Sequence, residues 1–253
     1  YLANLVRDDG TLIYRGTSLA ELGQMLHAAT LLLERAGGEG WWTDGFRKLD
    51  RIVERLLALR EQAVKDDGLL AGVPEDDERD KVAKYFHNNA WVSKGLLRWA
   101  AACTMTDAAP ATPAAGIEAV ARSLAQDTLR AIRSTWPADP DDWWLPPQVE
   151  PLARPSCLTG TRVASYTNYR YWPELLSSGL LPREMAERVV NARLAAGGQF
   201  CGMTRFEAGS TTGLWPITSS PSGAWGERRI SSSASTATSP IIRPKAILPH
   251  TSK

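Results

Sequence analysis

The chain has 253 residues, of which 43% are hydrophobic and 23% charged, the composition of an ordinary globular protein. Its formal net charge of +1 argues against binding to nucleic acid or to an anionic membrane, because both need a basic excess. No apolar run approaches the roughly 20 residues that span a bilayer. Three cysteines without metal-ligand spacing predict neither a zinc site nor a disulfide framework, and we expect no cofactor.

Residues 1–17 have a pattern typical of a short β-hairpin. Asp8-Asp9-Gly10 is a turn signal and separates the apolar runs Leu2–Val6 and Leu12–Tyr14. We expect a hairpin here, or the remnant of a preceding segment.

A helical pattern runs through residues 18–207. Ser18 and Glu21 have the spacing of a capping box, in which each side chain binds the backbone amide of the other residue. Six helices are predicted from apolar periodicity, proline and glycine, over about 18–36, 44–64, 89–103, 112–131, 169–178 and 182–196. We expect them to pair as three hairpins. Without a solenoid repeat, such an array predicts an all-α fold and an α/α-hairpin toroid.

The last segment, 208–253, is rich in Ser, Thr and Pro and has no apolar periodicity, which predicts an irregular tail. A second hypothesis is a frameshift. Synonymous codons exist for Ala208–Ile247 that, read two nucleotides later, encode a helical, aromatic and acidic segment beginning WLDDWPLADHLLALW. The hypothesis fails if the codons of the gene do not permit that reading.

The first candidate site is the acidic segment GLLAGVPEDDERD (68–80), followed closely by YFHNNAW (85–91). Carboxylates close to aromatic rings suit a sugar site, because rings stack on apolar sugar faces and glycosidic cleavage commonly uses two carboxyl groups. One group must stay protonated and the other ionised. The structural alternatives are a solvated acidic loop and, for Asn88 and Asn89, helix caps.

The second candidate is SYTNYRYWPELL (165–176), in which tyrosines and a tryptophan surround Arg170 and Glu174. These two residues are four apart, so a structural ion pair on one helical face is the simpler interpretation. The functional interpretation is a substrate-lining stripe, with Arg170 binding a hydroxyl or carboxylate.

The third candidate is GGQFCGMTRFE (197–207), whose glycines permit close approach to another backbone and which ends at Glu207. Two tryptophan pairs, Trp41-Trp42 and Trp143-Trp144, are expected in connections between helices. Packing after a helix end explains the glycines equally well, and core or lid packing is the preferred interpretation of both tryptophan pairs. Phosphate loops, nucleophile elbows and dinucleotide fingerprints are absent from the sequence.

The order of these motifs resembles that in the six-hairpin glycosidase superfamily. The resemblance covers about residues 18–207 and rests on GLLAGVPEDD, YFHNNAW, SYTNYRYWPELLSSGLLP and GGQFCGMTRFE. It implies an α/α toroid with a saccharide ligand in a central groove and, in many members, inverting hydrolysis by an acid and a base from inter-helix loops. Six hairpins need twelve helices, so we expect an incomplete ring, which is compatible with an inactive protein.

The leading hypothesis is therefore a glycoside hydrolase with a saccharide ligand and no nucleic-acid or membrane partner. The alternatives are a non-catalytic saccharide-binding or scaffold protein, and a polysaccharide lyase using Asn88, His87, Tyr166 and Arg170. The expected catalytic residues are Glu75, Asp77 and Glu207. The expected substrate-binding residues are Trp42, Tyr85, Asn89, Trp91, Tyr169, Arg170 and Trp172.

Overall fold

A computed structural model of the chain describes residues 2–13, 18–36, 41–75, 81–106, 110–139, 142–200 and 203–205. All of these belong to one compact unit, Tyr1–Gly209. The segment 208–253, expected to form an irregular tail, lies outside the described residues, as do Asp77 and Glu207.

The described residues are mostly helical, as the all-α prediction requires. Their helices are α1 (Leu19–Ala36), α2 (Trp41–Ala63), α3 (Phe86–Thr104), α4 (Ala114–Thr135), α5 (Arg162–Tyr166), α6 (Trp172–Ser178) and α7 (Arg183–Ala195). A π-helical turn, Thr167–Tyr171, joins α5 to α6. The short strands β1 (Gln199–Phe200) and β2 (Met203–Thr204) form an antiparallel pair after α7.

The N-terminal segment contains less strand than its alternation predicts. Leu2–Leu5 is a 3₁₀ helix, and a single antiparallel bridge joins Val6 to Leu12. Gly10 closes the intervening turn with a φ of 75°, a left-handed conformation that glycine adopts without steric cost. The predicted hairpin is therefore only a turn closed by one bridge. Leu2–Leu5, which was predicted as part of a strand, is a 3₁₀ helix.

Helix α3 is the central element of the fold. It packs against α1 on one side and α4 on another, and α6 also lies against it. Gly23 of α1 and Gly95 of α3 permit this packing, since a Cβ on Gly95 would lie 2.6 Å from the Cα of Gly23. The main partner of α1 is therefore α3, whereas α1 and α2 touch only lightly and do not form the packed hairpin expected from the sequence.

Two larger hydrophobic cores surround α3. One joins α1, α2, α3 and α4, and includes the stacked rings of Phe46 and Trp99, whose centroids are 4.8 Å apart. The other joins α3, the end of α4, α6 and α7 around Trp144 and Trp172. A third, smaller cluster contains Tyr85, Tyr171 and Ala83.

Helix boundaries follow the predicted periodicity with three corrections. Helix α2 begins at Trp41 and not at Asp44, so Trp41-Trp42 lies in its first turn rather than in a connection. Helix α3 begins at Phe86, three residues earlier than expected. The short helix expected near Tyr169 extends back to Arg162 through the π-helical turn. Among the described residues, no helix combines the length and apolar character needed to cross a bilayer.

Candidate functional site

Arg170 lies at the centre of three glutamates that come from separate parts of the chain. Its Nη1 donates a hydrogen bond to Oε2 of Glu75 at 2.8 Å, and its Nη2 donates to Oε1 of Glu21 at 3.2 Å. Its Nε lies 2.9 Å from Oε1 of Glu174, four residues further along the chain. We call Arg170 with Glu21, Glu75 and Glu174 the Arg170 cluster.

Local structure fixes each glutamate of the cluster. Glu21 is held by the capping box at the start of α1: the amide of Ser18 donates to its carboxylate, and its own amide donates to Oγ of Ser18. The capping box predicted from the sequence is thus present. Glu174 lies in the first turn of α6, one helical turn from Arg170.

Glu75 is positioned by the start of α3. Three consecutive side chains of that helix bind the backbone of the segment before Glu75. His87 Nε2 lies 3.1 Å from the carbonyl oxygen of Pro74, and Asn88 donates to that of Val73 at 2.9 Å. Asn89 pairs with both the amide and the carbonyl of Leu70. The motif YFHNNAW therefore holds the end of GLLAGVPE against α3 and fixes Glu75 beside Arg170.

The π-helical turn that carries Arg170 is anchored by Asn168. Its Nδ2 donates to the carbonyl oxygens of Gly198 and Arg205, and its Oδ1 accepts from Nε of Arg193. A Cβ on Gly198 would lie 2.5 Å from Oδ1 of Asn168, so glycine is required for this close approach. π-Helical turns within α-helices occur frequently at functional sites.

The cluster contains an excess of negative charge, with three carboxylates around one guanidinium. Burial raises the pKa of Glu174 to about 7; the Arg170 charge opposes this rise, whereas those of Glu21 and Glu75 add to it. Burial would lower the pKa of Arg170, but the three glutamates outweigh it and raise that pKa. Glu174 is therefore a carboxyl group that retains a proton close to neutral pH.

Two carboxylate oxygens of the cluster have no hydrogen-bond partner in the described part of the chain. They are Oε1 of Glu75, a residue only 4% exposed, and Oε2 of Glu174. Buried carboxylate oxygens are normally hydrogen-bonded. These two atoms therefore have unused acceptor capacity, although both are shielded from solvent in this structure.

Aromatic rings line one side of the cluster. The imidazole of His87 stacks on Tyr171, with centroids 4.9 Å apart, and its Nε2 lies 4.0 Å from Oε2 of Glu174. Tyr85 and Tyr166 pack around Tyr171, and Tyr169 packs edge-on against Tyr166 while remaining 49% exposed. Burial lowers the pKa of His87 to about 3, so this imidazole is neutral.

The structure brings Glu75 and Arg170 into contact. Tyr85 packs against His87 and Tyr171 and is only 4% exposed, and several other residues expected to bind substrate are enclosed as well. Asn89 and Trp172 are 0% and 1% exposed and are fully used in packing and hydrogen bonds. Trp91 packs against His27 and Lys94. Trp42 lies in the first turn of α2, and its side chain is outside the described residues.

Glu21 was not expected at the site, Glu174 was expected only as the ion-pair partner of Arg170 in the second candidate, and His87 was expected only in the lyase alternative. The sequence does contain a signal for each glutamate: the capping-box spacing of Glu21 and the four-residue spacing of Glu174 from Arg170. Neither signal shows that the Ser18–Glu21 pair and the Arg170–Glu174 pair lie next to each other in the fold. Within the described ranges, no group of three His, Cys, Asp or Glu side chains is arranged to hold a metal ion.

Comparison of the chain with family models, with characterised proteins and with solved structures gives no match.

Proposed function

We propose that the protein is a glycoside hydrolase whose proton donor is Glu174 and whose second carboxylate is Glu75. The observation that supports this most directly is the state of Glu174, a partly exposed carboxyl group whose pKa is raised to about 7 beside two further carboxylates. Glycosidic cleavage needs one carboxyl group that is protonated and another that is ionised. Asp77 and Glu207 remain candidates for the second role.

The proposed reaction assigns each proton. Glu174 gives its proton to the glycosidic oxygen as the bond to the anomeric carbon breaks. Glu75 accepts a proton from the water that attacks that carbon; its Oε1 has no hydrogen-bond partner among the described residues, but it is buried, so the step requires it to become accessible when substrate binds. Arg170 holds both carboxylates in place, and the exposed ring of Tyr169 offers a face on which a sugar can stack.

The helix arrangement is compatible with the proposed α/α toroid. In such a ring, alternate helices form an inner and an outer layer. In support, α1 packs directly on α3, the next helix but one, whereas α2 and α4 touch only lightly. The described helices are fewer than the twelve of six hairpins, so the proposed ring needs further helices.

A non-catalytic saccharide-binding or scaffold protein is the second candidate. It is favoured by the fact that all three glutamates already contact Arg170, since such a network can serve to join α1, α3 and α6. The lyase hypothesis receives less support. His87 and Asn88 are enclosed and bound to backbone groups, and Arg170 is already paired with three carboxylates and is poorly placed to neutralise a uronate.

Hydrolysis assays on a panel of glycans separate the first two candidates. Glu174→Gln and Glu75→Gln should each lower kcat by about 10²–10⁴-fold, the usual contribution of a general acid or base, while ligand binding is retained. The matched control is Glu118→Gln, which alters an exposed ion pair on α4 and should leave turnover unchanged. No hydrolysis by the parent protein, with ligand binding intact, would favour the binding protein.

A further inference from the structure

We propose that the protein has a second ligand site, which binds a small aromatic carboxylate in the cavity between the end of α4 and α7. The cavity has a volume of about 910 Å³, within the range of roughly 300–1,000 Å³ that is usual for small-molecule sites. The described residues that line it include neither Arg170 nor the three glutamates of the Arg170 cluster. The inference therefore does not depend on the proposed hydrolysis.

The first argument is the fixed position of Arg188, a half-buried residue of α7 that lines the cavity. Its Nη2 donates hydrogen bonds to the carbonyl oxygens of Pro137 and Asp142 at 3.0 Å and to that of Asp139 at 2.9 Å. Its guanidinium also lies over the ring of Trp136, with Cζ 4.4 Å from the ring centroid. These contacts hold the guanidinium in place and leave its charge without a carboxylate.

The second argument is that Arg188 keeps a charged donor for a ligand. Within the described ranges Arg188 forms no ion pair, and its Nη1 makes no hydrogen bond. Its Nε is buried without a partner, whereas Nη1 is not fully buried and so remains accessible. A carboxylate can accept a charge-assisted hydrogen bond from Nη1.

The third argument is the charge of the remaining wall. Arg133, in the last turn of α4, is a second cation, and it has no ion-pair partner among the described residues. Two glutamates of α7 also line the cavity, but Glu187 is already paired with Arg183 at 2.7 Å. The two arginines of the wall therefore face one unpaired carboxylate, that of Glu184. A single negative charge on the ligand balances them.

The fourth argument is the apolar character of the walls, which favours an aromatic ring over a sugar ring. Trp136, Trp143 and Met185 line the cavity together with prolines and alanines. Among the described lining residues, only Asn191 has an amide or hydroxyl side chain. A sugar has several hydroxyl groups that need hydrogen-bond partners, whereas an aromatic ring gains from contact with tryptophan and methionine side chains.

The test is a titration of the full, ¹⁵N-labelled chain with four probes, followed by NMR of the tryptophan indole N–H groups. 2-Naphthoate has both the ring and the charge; 2-naphthamide lacks the charge, acetate lacks the ring, and glucuronate carries its charge on a sugar ring. We expect 2-naphthoate to bind at least about tenfold more tightly than each of the others, the gain of one charge-assisted hydrogen bond or of the ring contact.

The NMR signals also locate the site. The indole N–H of Trp143, assigned with Trp143→Phe, should shift on titration, whereas that of Trp99, which is fully buried in the other large core, should not. Equal affinity for 2-naphthoate and 2-naphthamide overturns the charge selection, and equal affinity for glucuronate overturns the aromatic class. Absence of 2-naphthoate binding overturns the site itself.

Two variants test whether the arginines cause the preference. Arg188→Gln should lower the affinity for 2-naphthoate by about tenfold and leave that for 2-naphthamide nearly unchanged. Since Arg188 also holds the connection after α4, Arg133→Gln is the second variant: this exposed change should lower the affinity for 2-naphthoate by about two- to threefold without affecting the fold. Arg122→Gln, which alters an exposed ion pair elsewhere on α4, is the matched control and should change neither affinity.

A folded Arg188→Gln protein that keeps the preference for 2-naphthoate overturns the inference. If Arg188→Gln does not fold, full affinity for 2-naphthoate in Arg133→Gln overturns it.

Discussion

Gly23 and Gly95 bring the backbones of α1 and α3 into direct contact. A Cβ on Gly23 would overlap the carbonyl oxygen of Trp91 and lie 2.8 Å from the amide nitrogen of Val92. The obstructing atoms belong to the backbone, so they cannot move aside as a flexible side chain can. This crossing fixes the distance between Glu21, which precedes Gly23 on α1, and the parts of the site held by α3.

Gly23→Ala should therefore destabilise the protein although alanine is the better helix former. Overpacking at such a contact costs about 1–3 kcal/mol or more, which exceeds the roughly 1 kcal/mol of helix propensity gained. The measurement is the free energy of unfolding in urea. The matched control is Gly116→Ala in α4, where the nearest foreign atom is a methyl group 3.5 Å from the new Cβ. The control should stabilise by about 0.5–1 kcal/mol, and equal effects at both positions would contradict the close crossing.

Local patterns in the sequence predicted the helices and parts of the site. The capping box of Ser18 and Glu21 and the ion pair of Arg170 and Glu174 depend on residues three and four apart, so their spacing can be recognised in the sequence. The all-α class follows from periodicity in the same way. The expected close approach of the loop glycines to another backbone is not what Gly198 makes, since its near neighbours are the side chains of Asn168 and Leu158.

The rest of the site depends on contacts between distant segments, which one sequence does not show. Glu21 and Arg170 are 149 residues apart, and only the packing of α1 and α6 on α3 brings them together. Asn88 illustrates the same limit. From its position in the sequence, Asn88 is expected to cap a helix that begins next to it. In the structure its Oδ1 instead accepts a hydrogen bond from the amide of Ala20 and so caps α1. Local rules identified the type of interaction but not the partner.

Stability should depend on pH through two groups with opposite effects. The folded-state pKa of Glu174 is about 7 against an ordinary 4.5, so the native state binds more protons and unfolding becomes easier as pH rises through that window. The pKa of His87 falls from 6.5 to about 3, so the unfolded state binds more protons and unfolding becomes easier as pH falls through that window. The two slopes oppose each other where the windows overlap.

Single variants should separate these slopes in urea unfolding measured from about pH 4 to about pH 8. Glu174→Gln removes the loss of stability on the alkaline side, leaving the acid-side loss due to His87. His87→Gln keeps a side-chain donor for Pro74 but removes the acid-side loss. If Glu174→Gln leaves the difference between about pH 5 and about pH 8 unchanged, Glu174 does not titrate near neutrality and the assignment of the proton donor fails.

Arg170→Gln should destabilise the protein by about 3 kcal/mol, the range found when one partner of a buried ion pair is removed. The effect should be larger at about pH 8 than at about pH 5, because more of the cluster's carboxylates are then ionised and repel one another. Adding Glu75→Gln should recover part of the loss, since it removes one of those charges. Thermal denaturation of both single variants and the double variant measures this coupling. Strict additivity would show that Arg170 and Glu75 do not interact in solution.

Asn88→Ala should weaken both the start of α1 and the position of Glu75. Asn88 has no exposed surface; it accepts from the amide of Ala20 at 3.1 Å and donates to the carbonyl oxygen of Val73 at 2.9 Å. Losing both bonds in a buried position leaves two unsatisfied backbone groups and should cost about 2–4 kcal/mol. Hydrogen exchange should become faster at the amide of Ala20, while exchange in the middle of α4 changes only with global stability.

Asn191→Ala, an exposed change on α7, is the matched control and should alter neither quantity. If Glu75 depends on this connection, Asn88→Ala should also reduce the hydrolysis or glycan binding that Glu75→Gln reduces. Conversely, faster exchange at Ala20 without any effect on the site would show that Asn88 caps α1 but does not position Glu75. In that case the remaining contacts, from His87 to Pro74 and from Asn89 to Leu70, would be sufficient to hold the carboxylate beside Arg170.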